Sequence, residues 1–187
     1  MKKLLLITTS REPSRRTRSF AKDLNLAIPY SRRLNRGKAT YGELASRASS
    51  LGAYGVLVVL EKRGNPSALL FTKPEGLELR KAFLLKLGGV TLLREIPGSQ
   101  TPLGLSELAL AVKTIPEGVP ELLAPYLIEC FRPSLVERAE GELVELKILG
   151  GSTGATVAFI CATTDRECGP RFVVVNVFDY LKHSRIP

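Results

Sequence analysis

The sequence predicts an α/β fold, a mixed sheet covered by helices. Three observations carry this. Apolar runs of strand length recur along the chain, Val56 to Leu60 above all. Between the early ones lie stretches with apolar residues at helical spacing, opened by Ser, Thr or Pro. Strands and helices alternate instead of segregating, which is the pattern of helices packed on a sheet.

In chain order, Lys3 to Thr9 is a first strand. It runs into Ser10-Arg11-Glu12-Pro13-Ser14, where Ser and Pro suit a helix start. Phe20, Leu24 and Ala27 then form an apolar stripe that stops before Pro29, and at 100° per residue Arg15, Arg18 and Lys22 lie opposite it. Ser31 to Lys38 is a loop too charged to bury. Thr40 and Glu43 make a capping box for a second helix with Leu44, Ala48 and Leu51 on its apolar face, ended by Gly52 or Gly55. Val56 to Leu60 is a buried strand that turns at Arg63-Gly64-Asn65-Pro66 into a partner around Ala68 to Thr72. The order is β-α-α-β-β.

In the middle, Ala82 to Leu87 and Val90 to Arg94 flank Gly88-Gly89 as a hairpin would, although Leu77 to Leu87 also fits a helix. Leu105 to Lys113 and Val119 to Ile128 read as short helices, with Pro116 and Pro120 between them. Leu143 to Leu149, Thr156 to Thr163 and Phe172 to Phe178 read as strands, the first two joined by a turn at Gly150 to Gly154. No linker and no internal sequence repeat divides the chain. Its 187 residues suit one domain, residues 1–187, or two intimately packed halves of about 1–95 and 96–187.

The formal charge of +9 is unevenly placed. The first 50 residues hold twelve basic and three acidic side chains, and the remaining 137 hold fifteen of each. At 44% hydrophobic and 24% charged residues the chain is too apolar for a disordered basic tail. No apolar run nears the roughly 20 residues that span a bilayer, and the apolar stretch at Leu4 to Ile7 is too short for a signal peptide. The expectation is a protein with no membrane partner. Cys130, Cys161 and Cys168 are odd in number and widely spaced, so they read as separate buried thiols in a reducing, cytoplasmic compartment.

Catalytic signatures are scarce. The single imidazole, His183, stands four residues from the end, and three separated thiols with one His do not supply a zinc site. Gly37-Lys38-Ala39-Thr40 misses the P-loop pattern at Arg32 and at Ala39. Gly150 to Gly154 lacks the following helix that would hold a pyrophosphate. The carboxylate pairs Glu137 with Glu140 and Glu142 with Glu145 are expected at solvent. No enzyme, metal or cofactor is expected.

The basic quarter remains. Eight of its twelve cations are Arg, whose planar fork suits phosphate oxygens. A cationic subregion beside a neutral remainder is the footprint of a nucleic-acid binder. Candidate RNA-binding residues are Arg11, Arg15, Arg16, Arg18 and Lys22 along the helix and its entry, and Arg32, Arg33, Arg36 and Lys38 on the loop. Tyr30 and Tyr41 flank that loop and are placed either to stack on bases or to pack in the core.

Leu5-Leu6-Ile7-Thr8-Thr9-Ser10-Arg11-Glu12-Pro13-Ser14, then Phe20-Ala21-Lys22-Asp23-Leu24 and Arg32-Arg33-Leu34-Asn35-Arg36-Gly37-Lys38, closely resembles the opening of Brix-domain proteins. Glu167-Cys168-Gly169-Pro170-Arg171-Phe172 is similar to that family's late G-P-R-F element. One departure is Lys73-Pro74-Glu75-Gly76-Leu77-Glu78-Leu79, where the family often carries G-P-T-x-x-F. The resemblance implies a non-catalytic ribosome-biogenesis factor that binds ribosomal RNA or pre-rRNA, assists its processing, folding and subunit assembly, and meets other ribosome-assembly proteins. The alternative is a scaffold that recruits such proteins with RNA contact secondary. It implies two α/β halves, each similar to the anticodon-binding domain of class IIa aminoacyl-tRNA synthetases, in a compact archaeal version without eukaryotic extensions. It adds Arg171 as a further RNA-contact candidate.

Overall fold

The chain opens with β1 (Leu4–Thr9), whose buried LLITT run makes it the centre of a parallel trio. In the computed structural model, which describes residues 4–186, β1 lies between β2 (Ser31–Arg33) and β3 (Ala53–Lys62), parallel to both. Parallel neighbours need crossovers, and helices supply them. The first is α1 (Arg15–Ala27), capped by Ser14, whose hydroxyl accepts the Thr17 amide at 3.1 Å. The second is α2 (Tyr41–Ser50), with the Thr40 and Glu43 capping box in place. The expected start of the first strand at Lys3, and the cations Lys2 and Lys3, lie outside the described residues.

β3 then turns through Arg63 and Gly64, both at positive φ, into the antiparallel β4 (Asn65–Glu75), and β4 into β5 (Glu78–Thr91). Next come β6 (Leu108–Ala111), α3 (Val119–Phe131) and β7 (Ser134–Val136). β8 (Val144–Gly151), β9 (Gly154–Cys161), β10 (Arg166–Glu167), β11 (Arg171–Asp179) and β12 (Ser184–Ile186) follow. Among the described residues all twelve strands belong to one sheet, with the path β2-β1-β3-β4-β5-β11-β9-β8-β6-β7 and with β10 on β9 and β12 on β11. Read inward from either end the pairing is the same, two parallel steps and then two antiparallel ones. The antiparallel seam between β5 and β11 joins the two runs.

One face of the sheet buries the large core. Phe20 and Leu24 of α1, Leu127 and Phe131 of α3, and Phe71, Phe83, Phe159 and Phe172 of the strands belong to it. The opposite face carries a smaller cluster in which Leu6, Val56, Val58 and Leu70 meet Ala48 of α2. Polar contacts bind α3 to the early strands. The Tyr54 hydroxyl donates to the Cys130 carbonyl at 2.6 Å, and Lys73 meets Glu129 at 2.5 Å. Burial pushes the Tyr54 phenol far above its ordinary range.

Several expectations are corrected. Gly88-Gly89 is not a hairpin, because β5 continues through it with a register shift against β11; a Cβ on Gly88 would strike Val175 of that neighbouring strand. The turn is instead at Gly76-Leu77. The helix expected over Leu105 to Lys113 is the strand β6 followed by a single 3₁₀ turn, since all four residues of Leu108–Ala111 are buried and no helical period governs them. The charged loop after Pro29 begins as the short strand β2, so the order is β-α-β-α-β-β. Leu51 caps α2 and is exposed instead of packing. Glu145 is buried on β8, beside Lys147 at 3.5 Å. Cys161 and Cys168 are not separate thiols but a disulfide across the β9–β10 turn, leaving Cys130 as the buried free thiol.

Candidate nucleic-acid interface

The basic candidates are distributed by two crossovers, one leaving β1 through α1 and one leaving β2 through α2, on opposite faces of the sheet. Helix α1 turns its stripe of Thr17, Phe20, Ala21, Leu24 and Ala27 into the large core. That leaves Arg15, Arg18 and Lys22 exposed as a ridge, as their spacing predicts. Ser14 fixes where the ridge begins. Its amide donates to Glu61 Oε2 at 2.7 Å and its hydroxyl to the Gly64 carbonyl at 2.8 Å, pinning the helix start to the β3–β4 hairpin. Hydrogen bonding from the Thr17 hydroxyl, with the Ser14 amide, holds the Glu61 carboxyl below its ordinary value.

Arg16 leaves the ridge. Its guanidinium forks onto Glu95, with Nη2 to Oε2 at 2.9 Å, and donates to the Val90 carbonyl at 2.8 Å. That pairing holds the Glu95 carboxyl below its ordinary value. Arg16 is therefore a fastener between α1 and the segment after β5. Arg171 is similarly engaged, with Nε and Nη2 bonded to Glu167 at 2.9 and 2.6 Å. The rest of the G-P-R-F element packs: a Cβ on Gly169 would collide with Ala27 and Phe159, and the Phe172 ring stands edge-on to Phe20 at 5.8 Å.

Arg32 and Arg33 are exposed on the edge strand β2, but successive strand residues project to opposite faces. Arg32 pairs with Leu6 of the small cluster and Arg33 with Ile7 of the large core, so the two do not form one patch.

Four other cations do converge. At the carboxyl end of β1 a crevice of about 590 Å³ is lined by Arg11, Arg18, Arg36 and Lys38, with Asn35 and Gly37 between them. Glu12 is the one carboxylate on its wall. Arg36, expected in an exposed loop, is only 6% exposed. Its Nε donates to the Ala39 carbonyl at 2.8 Å and an Nη reaches towards the Thr9 carbonyl at 3.4 Å, while the guanidinium lies 4.5 Å over the Tyr41 ring. Gly37 at φ +52 turns the chain between buried Arg36 and exposed Lys38. None of the four is ion-paired among the described residues.

Other basic residues escaped the sequence reading. Lys62 and Arg63 line a groove of about 430 Å³ with Arg16, and Arg94 reaches Ser19 of α1 at 3.3 Å. Each is local to a turn in sequence and reaches α1 only through the fold. Among the described residues no cluster of three or more His, Cys, Asp or Glu side chains is placed to hold a metal, and no helix is long and apolar enough to cross a membrane.

No family model matches the chain. It is 37% identical over 111 residues to a probable Brix domain-containing ribosomal biogenesis protein of Thermococcus kodakarensis, a match covering 59% of this chain and 53% of that protein. The chain spans about half the length of the curated relatives it matches. Among solved structures, a probable ribosomal biogenesis protein from Aeropyrum pernix superposes with a TM-score of 0.75 at 31% identity, covering 91% of this chain and 94% of that one. An archaeal Imp4-like protein shares the fold at 20% identity and a TM-score of 0.70, with 94% of this chain and 99% of that chain covered.

Proposed function

We propose, on the premise that the chain belongs to the Brix-domain ribosomal biogenesis proteins, that it is a non-enzymatic RNA-binding factor in ribosome assembly. The observation that supports this reading is the convergence of Arg11, Arg18, Arg36 and Lys38 on one crevice, continued along α1 by Arg15 and Lys22. Cations that outnumber the carboxylates at one site and make no ion pair there are suited to a polyanion. Ribosomal or precursor RNA is the partner the family indicates. The mirrored strand order supports a division into two packed units, with the cationic site wholly in the first. Arg16 and Arg171 drop from the proposed contact set because carboxylates already hold them.

If about six phosphates are neutralised on single-stranded RNA, log affinity should fall with log salt at a slope near −4. Filter binding to small-subunit ribosomal RNA over a salt series measures it, and a flat response would remove the reading.

A second reading, a scaffold for other assembly proteins, is favoured by one observation. Leu77, 73% exposed, borders a groove of about 430 Å³ in which Tyr41, Leu70 and Leu79 stand beside Thr72, Glu78 and Lys81. Reversing Arg11, Arg18 and Lys38 to Glu separates the two: RNA binding collapses under the first reading, whereas capture of an assembly protein persists under the second.

A further inference from the structure

We infer that the crevice at the carboxyl end of β1 receives a single unpaired nucleotide, its phosphate seated against Arg36. The inference rests on the RNA-binding reading above and narrows it to the form of RNA recognised.

Position is the first argument. β2 and β3 flank β1 on opposite sides, while α1 and α2 cover opposite faces of the sheet. Chain direction therefore diverges at the end of β1, and in open parallel sheets such a divergence opens a crevice where ligands bind. Residues from both departing connections, Arg11 after β1 and Arg36 to Lys38 after β2, meet there.

The second argument is the buried charge. Arg36 is a guanidinium at 6% exposure whose partners are two carbonyls and an aromatic ring, none carrying a full negative charge. Buried charges are ordinarily paired, and no carboxylate pairs with this one among the described residues. An incoming anion would complete the site, and guanidinium donors match phosphate oxygens.

Shape supplies the third. A volume near 590 Å³ falls in the range of small-molecule sites, about 300–1,000 Å³, and exceeds what a lone phosphate fills. Duplex phosphates lie on a convex backbone and would meet exposed Arg11, Arg18 and Lys38 at the rim without reaching Arg36. An unpaired nucleotide can turn inward, as bases in loops and bulges do.

Titration of the isotope-labelled full chain with adenosine 5′-monophosphate and, separately, inorganic phosphate tests the seat directly. The expected result is saturable shifts of the Gly37 amide and Arg36 Nε–H with the nucleotide, at concentrations about tenfold or more below those inorganic phosphate requires. In parallel, an unpaired RNA of roughly twelve nucleotides should bind about tenfold more tightly than the same strand annealed to its complement. Arg36→Gln should abolish that preference. The nucleotide titration uses the intact protein and decides the matter even if the variant fails to fold. Absent shifts at both positions, or phosphate acting as well as the nucleotide, would overturn the inference. If that occurs while RNA binding keeps its salt slope, the broader reading survives; if neither RNA form binds, both fall.

Discussion

Arg16 and Arg18 stand two positions apart on α1 and hold different things. Arg18 opens onto the crevice, whereas Arg16 is bound to Glu95 and the Val90 carbonyl. Arg16→Ala should therefore lower stability by about 1 kcal/mol, as loss of a partly exposed forked pair does, and leave RNA affinity nearly unchanged. Denaturant unfolding beside filter binding checks both halves of that statement. The pair also has a pH signature. Because the folded Glu95 carboxyl sits below its ordinary value of 4.5, its contribution is present above that pH and is lost as pH falls through the lower folded value. Glu95→Gln should flatten melting temperature against pH in that acid window. Which arginines face solvent was only partly legible in the sequence. Periodicity placed Arg15, Arg18 and Lys22 outward, but Glu95 is 79 residues from Arg16 and nothing local announces the pair. The burial of Arg36 needs the Thr9 carbonyl and the Tyr41 ring, which fold together from separate elements.

Elements whose signals are local were legible, and those defined by a distant neighbour were not. α1 and α2 carry their caps within three residues, so Ser14, Thr40 and Glu43 mark them before any packing is known. Ser14→Ala should cost about 1 kcal/mol, read by thermal denaturation, with the β3–β4 hairpin loosening because Ser14 also bonds Gly64. By contrast, β5 looks broken at its paired glycines until β11 is laid beside it and Val175 fills the space over Gly88. The strand β6 looks helical until β7 and β8 flank it. The G-P-R-F element shows the same dependence. Gly169→Ala would force a methyl group against Ala27 and Phe159, and overpacking of this kind costs about 1–3 kcal/mol. A melting curve indistinguishable from the parent would refute that packing account of the glycine.

Across the whole molecule, the seam between β5 and β11 decides how independent the two runs of the sheet are. A single core cluster reaches from Phe20 through Phe71 and Phe83 to Phe159 and Phe172, crossing that seam. Cooperative unfolding follows: amides of Val58 and Val157 should share one opening free energy in native-state hydrogen exchange. Phe172→Ala should reduce both together by about 3–5 kcal/mol. Divergent values would show two separately melting units. The seam also has a consequence for how the chain is made. Every residue lining the crevice precedes residue 39, and β5 ends at Thr91, yet β11 begins about 80 residues later. An emerging chain thus holds every crevice residue while a long strand edge still lacks its partner. Lys81, Lys86 and the two glycines make that edge a poor template for foreign strands. Synthesis order therefore delivers the cationic residues first, while the core beneath α1 closes only when Phe172 arrives with β11.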